Sequence, residues 1–185
     1  MAVLENDVRI VAAEGYDEPF DIWVLMNAVE AIFRQTALEK GLLFTVEVFR
    51  HVPDFMVGDV LHIREILVRL IANAMEFTTK GGVCVGCGLQ RHDEDRILLR
   101  FTVADTGNGM NEEELKQFLE LAGWADAGRP QAHGRAAPGL SAITALVNVL
   151  EGEICAKSLP DQGTTVSFTC MVRSFQEGIP ATSLH

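Results

Sequence analysis

The chain has 185 residues, of which 48% are hydrophobic and 22% are charged. These values are typical of one folded globular domain, and they exclude a disordered chain, a collagen-like repeat or a coiled coil as a description of the whole. Asp and Glu number 26 against 15 Lys and Arg, so the formal charge is −11 and the pI is about 4.8. Because so acidic a surface repels a phosphate backbone, we expect no nucleic-acid partner.

The apolar runs of the sequence are short. The run from Ile22 to Met26 is far below the roughly 20 residues that a membrane-spanning helix requires. The N-terminal sequence MAVLENDVRI carries acidic residues and lacks the basic and apolar regions of a signal peptide. Four cysteines are too few for a disulfide scaffold in a chain of this length. We therefore expect a cytoplasmic domain without direct membrane contact.

Two helices and one strand are predicted in the first half of the chain. Apolar residues at helical spacing predict a helix from Phe20 to Lys40, with Gly41 at its C-cap. The alternating segment from Leu42 to Arg50 predicts a strand. A second, strongly amphipathic helix is predicted from Gly58 to Thr79, with Asp59 at its N-cap.

Strand patterns dominate the second half of the chain. A hairpin, two helices and two closing strands are predicted in this order: Val83 to Gln90, Ile97 to Ala104, Glu112 to Leu121, Leu140 to Leu150, a segment around Ile154, and Thr164 to Val172. The stretch 126–138, rich in Gly, Pro and Ala, is predicted to be flexible. This order of elements predicts an α+β fold, a two-layer sandwich in which about three helices cover one face of a mixed sheet.

The second predicted helix carries a polar stripe. Glu65, Arg69, Asn73 and Glu76 are spaced three or four residues apart, so they share one face opposite the Ile and Leu residues. On this helix alone, a solvated face with a Glu65 to Arg69 ion pair explains the stripe as well as a binding site does.

Two glycine-bearing segments add a second set of candidate residues. Asp105-Thr-Gly-Asn-Gly-Met110 follows a predicted strand, where a carboxylate can accept a hydrogen bond from an amine and glycines allow the backbone to approach a flat ring. Gly139 and Leu140 begin a predicted helix, whose free amides and dipole favour phosphate groups. Each segment taken alone is also common in turns and at helix starts.

Taken in order, these segments resemble the histidine-kinase-like ATPase family, in particular the ATP-binding catalytic domain of bacterial sensor histidine kinases. GDVLHIREILVRLIANAMEFTTKGG is similar to the N box of that family and VADTGNGM to its G1 box. PGLSAITALVNVLEGEI is similar to the G2 box and the helix after it, and QGTTVSFTC to the closing strand. The resemblance covers nearly the whole chain, and it implies a nucleotide held between the second helix and a flexible lid at 126–138.

The resemblance implies roles for individual residues. Asn73 matches the residue that coordinates Mg²⁺ on the phosphates of ATP, and Asp105 matches the residue that binds the adenine amino group. Arg69 and Glu76 occupy the other catalytic positions of the N box. The remaining positions implied to bind nucleotide are Gly107, Gly109, Met110, Gly139, Leu140 and Thr165.

Departures from the family pattern affect the phosphate region. Arg69 stands where the family has a first N-box Asn, and Glu76 stands where it has a Lys or Arg. Ala137 and Pro138 replace the first Gly and the Leu of a GLGL pattern. Because Glu76 would repel a polyphosphate unless Mg²⁺ or Arg69 offsets its charge, weak or modified ATP binding is predicted.

The resemblance also implies partners. Such kinases carry the phosphoaccepting histidine on a separate dimerisation domain, and none of the five histidines of this chain has that setting. We therefore expect one module of a larger kinase, which could be anchored to a membrane elsewhere. The module would act with the histidine-bearing dimerisation domain of the same kinase and with a response regulator. The predicted divisions are a linker at 1–19, the ATPase domain at 20–174 and a tail at 175–185.

Three other interpretations compete with this one. A degenerate, non-catalytic domain that docks a response regulator or phosphotransfer partner would explain the departures in the N and G2 boxes. A self-contained ATPase of the gyrase and chaperone type needs a general-base carboxylate where this chain has Arg69, so it is discounted. Cys84 and Cys87 could form half a metal site, but no second pair at metal-ligand spacing follows.

Overall fold

The structure is a computed structural model that describes residues 16–122 and 140–175. These residues form seven strands and four helices. In chain order the elements are β1 (Glu18–Asp21), α1 (Ile22–Lys40), β2 (Leu43–Val48), β3 (Phe55–Gly58), α2 (Val60–Phe77), β4 (Gly82–Asp93), β5 (Arg96–Asp105), α3 (Glu112–Ala122), α4 (Leu140–Val149), β6 (Ile154–Leu159) and β7 (Gly163–Ser174).

Both ends of α1 are fixed by capping interactions. The Asp21 carboxylate accepts hydrogen bonds from the amides of Trp23 and Val24 at 2.7 and 3.3 Å, which satisfies two free donors of the first turn. Gly41 ends the helix in the left-handed conformation, with φ of 65°, as predicted. The helix begins two residues later than predicted because Phe20 and Asp21 belong to β1.

The N-cap predicted for α2 is confirmed. One oxygen of Asp59 accepts the amide of His62 at 3.1 Å, and the other lies 2.6 Å from the His62 ring nitrogen Nδ1. At the other end, the Thr78 hydroxyl donates to the carbonyl of Ala74 at 2.7 Å. The face of α2 that packs on the sheet is fully apolar and comprises Ile63, Ile66, Leu67, Leu70, Ile71, Ala74 and Met75.

The seven strands form one mixed sheet in the order β1-β3-β7-β5-β4-β2, with β6 paired to β7 beside β3. β2 and β4 are parallel, and the other pairs are antiparallel. α1, α2 and α4 contribute buried side chains to one core on one face of this sheet, and α3 packs against α4 and β6. The predicted α+β sandwich is confirmed.

Alternation along the strands separates the core face from the other face. On β5 the core residues are Ile97, Leu99, Phe101 and Val103, which are almost fully buried. Phe101 stacks on Phe168 of β7, with ring centroids 5.1 Å apart. Since burial of one such side chain contributes about 1.5–3 kcal/mol, this core supplies much of the stability of the fold.

β1 and β3 were not predicted from the sequence. They pair antiparallel over four residues, and β3 in turn pairs antiparallel with the last two residues of β7. Each is too short to show a clear alternation, and Pro19 in β1 is a residue that weakens a strand prediction. Pro19 is tolerated because β1 is an edge strand of the described sheet.

The predicted flexible stretch 126–138 and Gly139 lie outside the described residues. Within the described ranges, no helix has the length and apolar character needed to cross a membrane. β1 begins at Glu18, two residues before the predicted start of the domain, and β7 ends at Ser174.

Candidate functional site

Asp105 lies at the end of β5 with its two carboxylate oxygens in different environments. Oδ1 accepts hydrogen bonds from the amides of Gly107 and Thr164, at 2.8 and 3.2 Å. Within the described residues Oδ2 has no hydrogen-bond partner. The carboxylate is therefore held in place through one oxygen, and the other oxygen remains able to accept a hydrogen bond from a ligand.

The backbone around Asp105 is packed so closely that it requires glycine. A Cβ at Gly107 would lie 2.5 Å from the carbonyl oxygen of Phe77, the last residue of α2. Gly109 and Gly163 have φ of 64° and 90°, and a Cβ at either would lie 1.9 Å from a backbone carbonyl oxygen. The glycines thus bring the loop after β5, the C-terminal end of α2 and the start of β7 into direct contact.

The loop after β5 is also tied to the turn between β6 and β7. The amide of Met110 donates to the hydroxyl oxygen of Ser158 at 2.8 Å. The amide of Asp161 donates to the carbonyl of Asn108 at 2.7 Å. These contacts place Met110, a predicted site residue, in the wall of the site through its backbone.

Thr165 does not lie at this site. It pairs with Ala104 on β5, and Val103, the neighbour of Ala104, faces the core, so Thr165 faces the opposite side of the sheet. Its neighbour Thr164 lies beside Asp105 and donates its amide to that carboxylate. The structure thus places Thr164, and not the predicted Thr165, beside Asp105, and the alternation of apolar residues along β7 contained the information needed to distinguish the two faces.

The polar stripe of α2 is present as predicted. Arg69 donates from Nε and Nη2 to one oxygen of Glu65, at 3.1 and 2.5 Å. Asn73 is half-buried and makes no hydrogen bond within the described residues, and Glu76 is exposed. The loop containing Gly107 contacts the backbone of Phe77, which lies about one turn after Asn73 on α2. Glu76 lines a groove together with Thr36 and Lys40 of α1.

Two further predicted residues are only partly placed. Leu140 is the first residue of α4, as predicted. Gly139 and the predicted lid at 126–138 lie outside the described residues.

The cysteines do not form a metal site. Cys84 is exposed and Cys87 is buried, because residues three apart on a strand point to opposite faces. Burial raises the pKa of the Cys87 thiol from its ordinary value of 9.0 to about 12. Across residues 16–122 and 140–175, no group of three or more His, Cys, Asp or Glu side chains is arranged to hold a metal ion.

A separate cavity of about 300 Å³ lies at the other end of α2. Asp59, Arg96, Glu151 and Arg173 are among the residues that line it. Both arginines are engaged, Arg96 with Glu151 at 2.7 Å and Arg173 with an aspartate at 2.9 Å. This cavity lies far from Asp105 along β5 and does not belong to the site.

Residues 58–174 match the family described as Histidine kinase-, DNA gyrase B-, and HSP90-like ATPase. The chain belongs to this ATPase family. Its sequence is 28% identical over 150 residues to the signal transduction histidine-protein kinase BarA of Escherichia coli (strain K12), covering 81% of the chain and 16% of BarA. The chain thus spans about a sixth of the length of that curated relative.

Solved structures of histidine kinases share the fold. Full-length ShkA in complex with AMPPNP has a TM-score of 0.68 and 28% identity, covering 86% of this chain and 32% of ShkA. The catalytic domain of the histidine kinase ThkA has a TM-score of 0.61 at 17% identity, covering 84% of this chain and 96% of that domain, and it shows the fold alone. Within the ATPase family, the chain therefore corresponds to the ATP-binding catalytic module of sensor histidine kinases.

Proposed function

We propose that this domain binds Mg²⁺-ATP and donates the γ-phosphoryl group to a histidine on a separate dimerisation domain of the same sensor kinase. The observation that carries the proposal is the Asp105 carboxylate, held by the amides of Gly107 and Thr164 and open to a ligand on its other oxygen. The proposal is also supported by the membership of the chain in the ATPase family and by its similarity to histidine kinases.

The adenine would lie against the loop that follows β5. Oδ2 of Asp105 can accept one of the two N–H groups of the 6-amino substituent. Gly107 and Gly109 carry no side chain that would keep a flat ring away from the backbone. The site therefore supplies both a directional contact and a surface for the ring.

Asn73 is the residue of the described site that fits a magnesium ion. Its side chain is half-buried on the polar stripe, and its amide oxygen has no partner within the described residues. Mg²⁺ prefers oxygen ligands and is commonly held by one or two protein groups together with substrate phosphates. A bound ion would neutralise part of the phosphate charge, while Asn73 would orient it.

The charged residues of α2 expected near the phosphates differ from those of the family pattern. Arg69 offers a guanidinium one turn before Asn73, although Glu65 engages it and reduces its net charge. Glu76, at the position of the usual Lys or Arg, adds a negative charge one turn after Asn73. We therefore propose that ATP binds through the base and the metal ion more than through direct contacts with basic side chains.

The proposed partners, a histidine-bearing dimerisation domain and a response regulator, are supported by the length of the relatives. Because the chain spans only 16% of BarA, the phosphoaccepting histidine and the response regulator would lie on other domains or chains. All four cysteines are free thiols, which is consistent with the proposed cytoplasmic location of the domain.

Calorimetric titration of ATP and AMPPNP, with and without Mg²⁺, tests the proposal. The matched control is Asp105→Asn, because the amide oxygen can still accept from Gly107 and Thr164 while the amide nitrogen presents a donor to the adenine amino group. We expect saturable, Mg²⁺-dependent binding that weakens about 100-fold in Asp105→Asn, the loss expected for a hydrogen bond to a charged group and a new donor clash.

Two other results would contradict the proposal. Equal affinity in Asp105→Asn would show that Asp105 does not bind the base. No binding at millimolar ATP would instead favour the degenerate docking domain, for which Arg69 and Glu76 are the structural argument.

A further inference from the structure

The hydroxyl of Ser158, on β6, makes three contacts that join the walls of the site. It lies 2.8 Å from the amide nitrogen of Met110, 3.0 Å from the carbonyl oxygen of Gly163 and 2.9 Å from the hydroxyl of Thr164. Sequence patterns did not identify Ser158 as a site residue. A hydroxyl has one donor and two acceptor positions, so these three partners use all of them.

The chemistry of the partners fixes the direction of each hydrogen bond. An amide nitrogen only donates and a carbonyl oxygen only accepts. Ser158 therefore accepts from Met110 and donates its single proton to Gly163. It follows that Thr164 must donate its own hydroxyl proton to Ser158, and its oxygen is left with lone pairs alone.

The direction of the hydrogen bond from Thr164 to Ser158 determines whether the Thr164 hydroxyl can donate to, or only accept from, a nucleotide base. Thr164 lies next to Asp105, since its amide donates to that carboxylate at 3.2 Å. With the Thr164 proton engaged, both Oδ2 of Asp105 and Oγ1 of Thr164 are acceptors. Two acceptors match the two N–H groups of a 6-amino purine and repel the 6-oxo group of guanine, which is itself an acceptor.

We propose that Ser158 is a positioning residue that sets the preference for adenine over guanine by orienting the hydroxyl of Thr164. The inference rests on the proposed nucleotide function and goes beyond it by assigning base specificity to a residue that does not itself contact the nucleotide. The surrounding turn is held independently, because Asp161 donates to Asn108 at 2.7 Å and Gly109 packs on the carbonyl of Leu159. Loss of the Ser158 hydroxyl should therefore release the Thr164 proton without displacing the loop.

The test compares the affinities of the whole chain for ATP and GTP in three variants. In Ser158→Ala the freed Thr164 proton can donate to a 6-oxo group, so the ATP-to-GTP affinity ratio should fall about tenfold, equivalent to one ordinary hydrogen bond. Ser158→Thr keeps the hydroxyl and should retain the original ratio. Ser167→Ala is the matched control, because Ser167 is a buried serine of β7 that bonds to Thr102 on the opposite face of the sheet.

The outcomes separate this inference from the proposed function. A wild-type chain that binds neither nucleotide overturns both. The role of Ser158 alone is overturned if the wild-type chain binds ATP but the ATP-to-GTP affinity ratio is unchanged in folded Ser158→Ala. An equal change of that ratio in Ser167→Ala overturns it as well. If Ser158→Ala does not fold, hydrogen exchange is measured in the wild-type protein instead. The hydrogen bond to Ser158 must protect the Met110 amide in the free protein, so rapid exchange of that amide overturns the proposed role of Ser158.

Discussion

Gly163 shows how strongly single backbone positions constrain the site. It has φ of 90°, and a Cβ there would lie 1.9 Å from the carbonyl oxygen of Asp105. We expect Gly163→Ala to lower the free energy of unfolding by about 3 kcal/mol or more, because the clash adds to the strain of the left-handed conformation. Urea denaturation measures the loss.

Gly41 provides the control for that substitution. Its φ is 65°, but nothing lies within 4 Å of the position that a Cβ would occupy, so Gly41→Ala carries the conformational strain without a clash. We expect it to lose only about 1 kcal/mol. Equal losses in the two variants would show that the loop beside Asp105 can move aside.

Glu76 tests the electrostatics of the phosphate region. Because it is exposed on the polar stripe one turn after Asn73, Glu76→Lys should tighten ATP binding about tenfold by replacing repulsion with attraction. Glu47→Lys makes the same change of charge on the face of β2 that points away from the helices. Isothermal titration of both variants compares them, and an unchanged affinity in Glu76→Lys would mean that Glu76 does not face the phosphates.

The residues of the site were predictable where one short motif fixes them. Asp105, Gly107 and Gly109 follow one another in a loop, so sequence order alone brings them together. Alternation along β7 distinguishes Thr164 from Thr165, whereas the contacts of Ser158 with Met110 and Thr164 depend on how β6 packs beside β7 and the loop after β5. Such contacts join distant parts of the chain, and no local pattern reveals them.

Among the elements, α2 depends most on its N-cap. Asp59 is 3% exposed, and its carboxylate accepts the amides of both His62 and Tyr16. Asp59→Ala should lower the free energy of unfolding by about 2 kcal/mol, because the lost cap leaves part-buried amide donors without a partner. Thermal unfolding measures the change.

Asp21→Ala is the matched variant for that prediction. Asp21 caps α1 through the amides of Trp23 and Val24, but these hydrogen bonds are exposed to water. We expect a loss of about 1 kcal/mol, since water can replace the missing carboxylate. If Asp21→Ala lost as much stability as Asp59→Ala, burial would not be the reason for the importance of Asp59.

Elements differed in how well the sequence predicted them. α2 combines a long apolar face with a capping residue, so its position was predicted to within two residues at either end. β1 and β3 are four residues long, and they are strands because β7 and each other supply their hydrogen-bond partners. Strands of this kind are determined by tertiary contacts and not by their own composition.

At the scale of the whole molecule, one core joins the helices to the sheet, and two of the four cysteines lie within it. Cys87 and Cys170 are buried in that core, whereas Cys84 and Cys155 are exposed. Burial raises the pKa of Cys87 to about 12, and burial together with the proximity of Cys87 raises the pKa of Cys170. Both thiols are therefore protonated and unreactive in the folded state.

Thiol labelling should therefore report global unfolding. With Ellman's reagent at pH 8 we expect two thiols to react quickly, and the other two only as the chain unfolds, with a rate that rises with urea as the global transition does. Cys84→Ser should remove one fast thiol and leave the slow phase unchanged. Fast reaction of Cys87 or Cys170 in native conditions would mean that the sheet opens locally.

The same two thiols predict a loss of stability in alkali. The unfolded chain releases the Cys87 proton near its ordinary pKa of 9.0, while the folded chain retains it until about pH 12. Because the unfolded state then binds fewer protons, the free energy of unfolding should fall as the pH rises through this window. Replacing Cys87 with Ala removes this titration, so urea denaturation of that variant should show a weaker dependence on pH than the wild type between 9 and 12. An identical dependence would assign the alkaline loss to other groups.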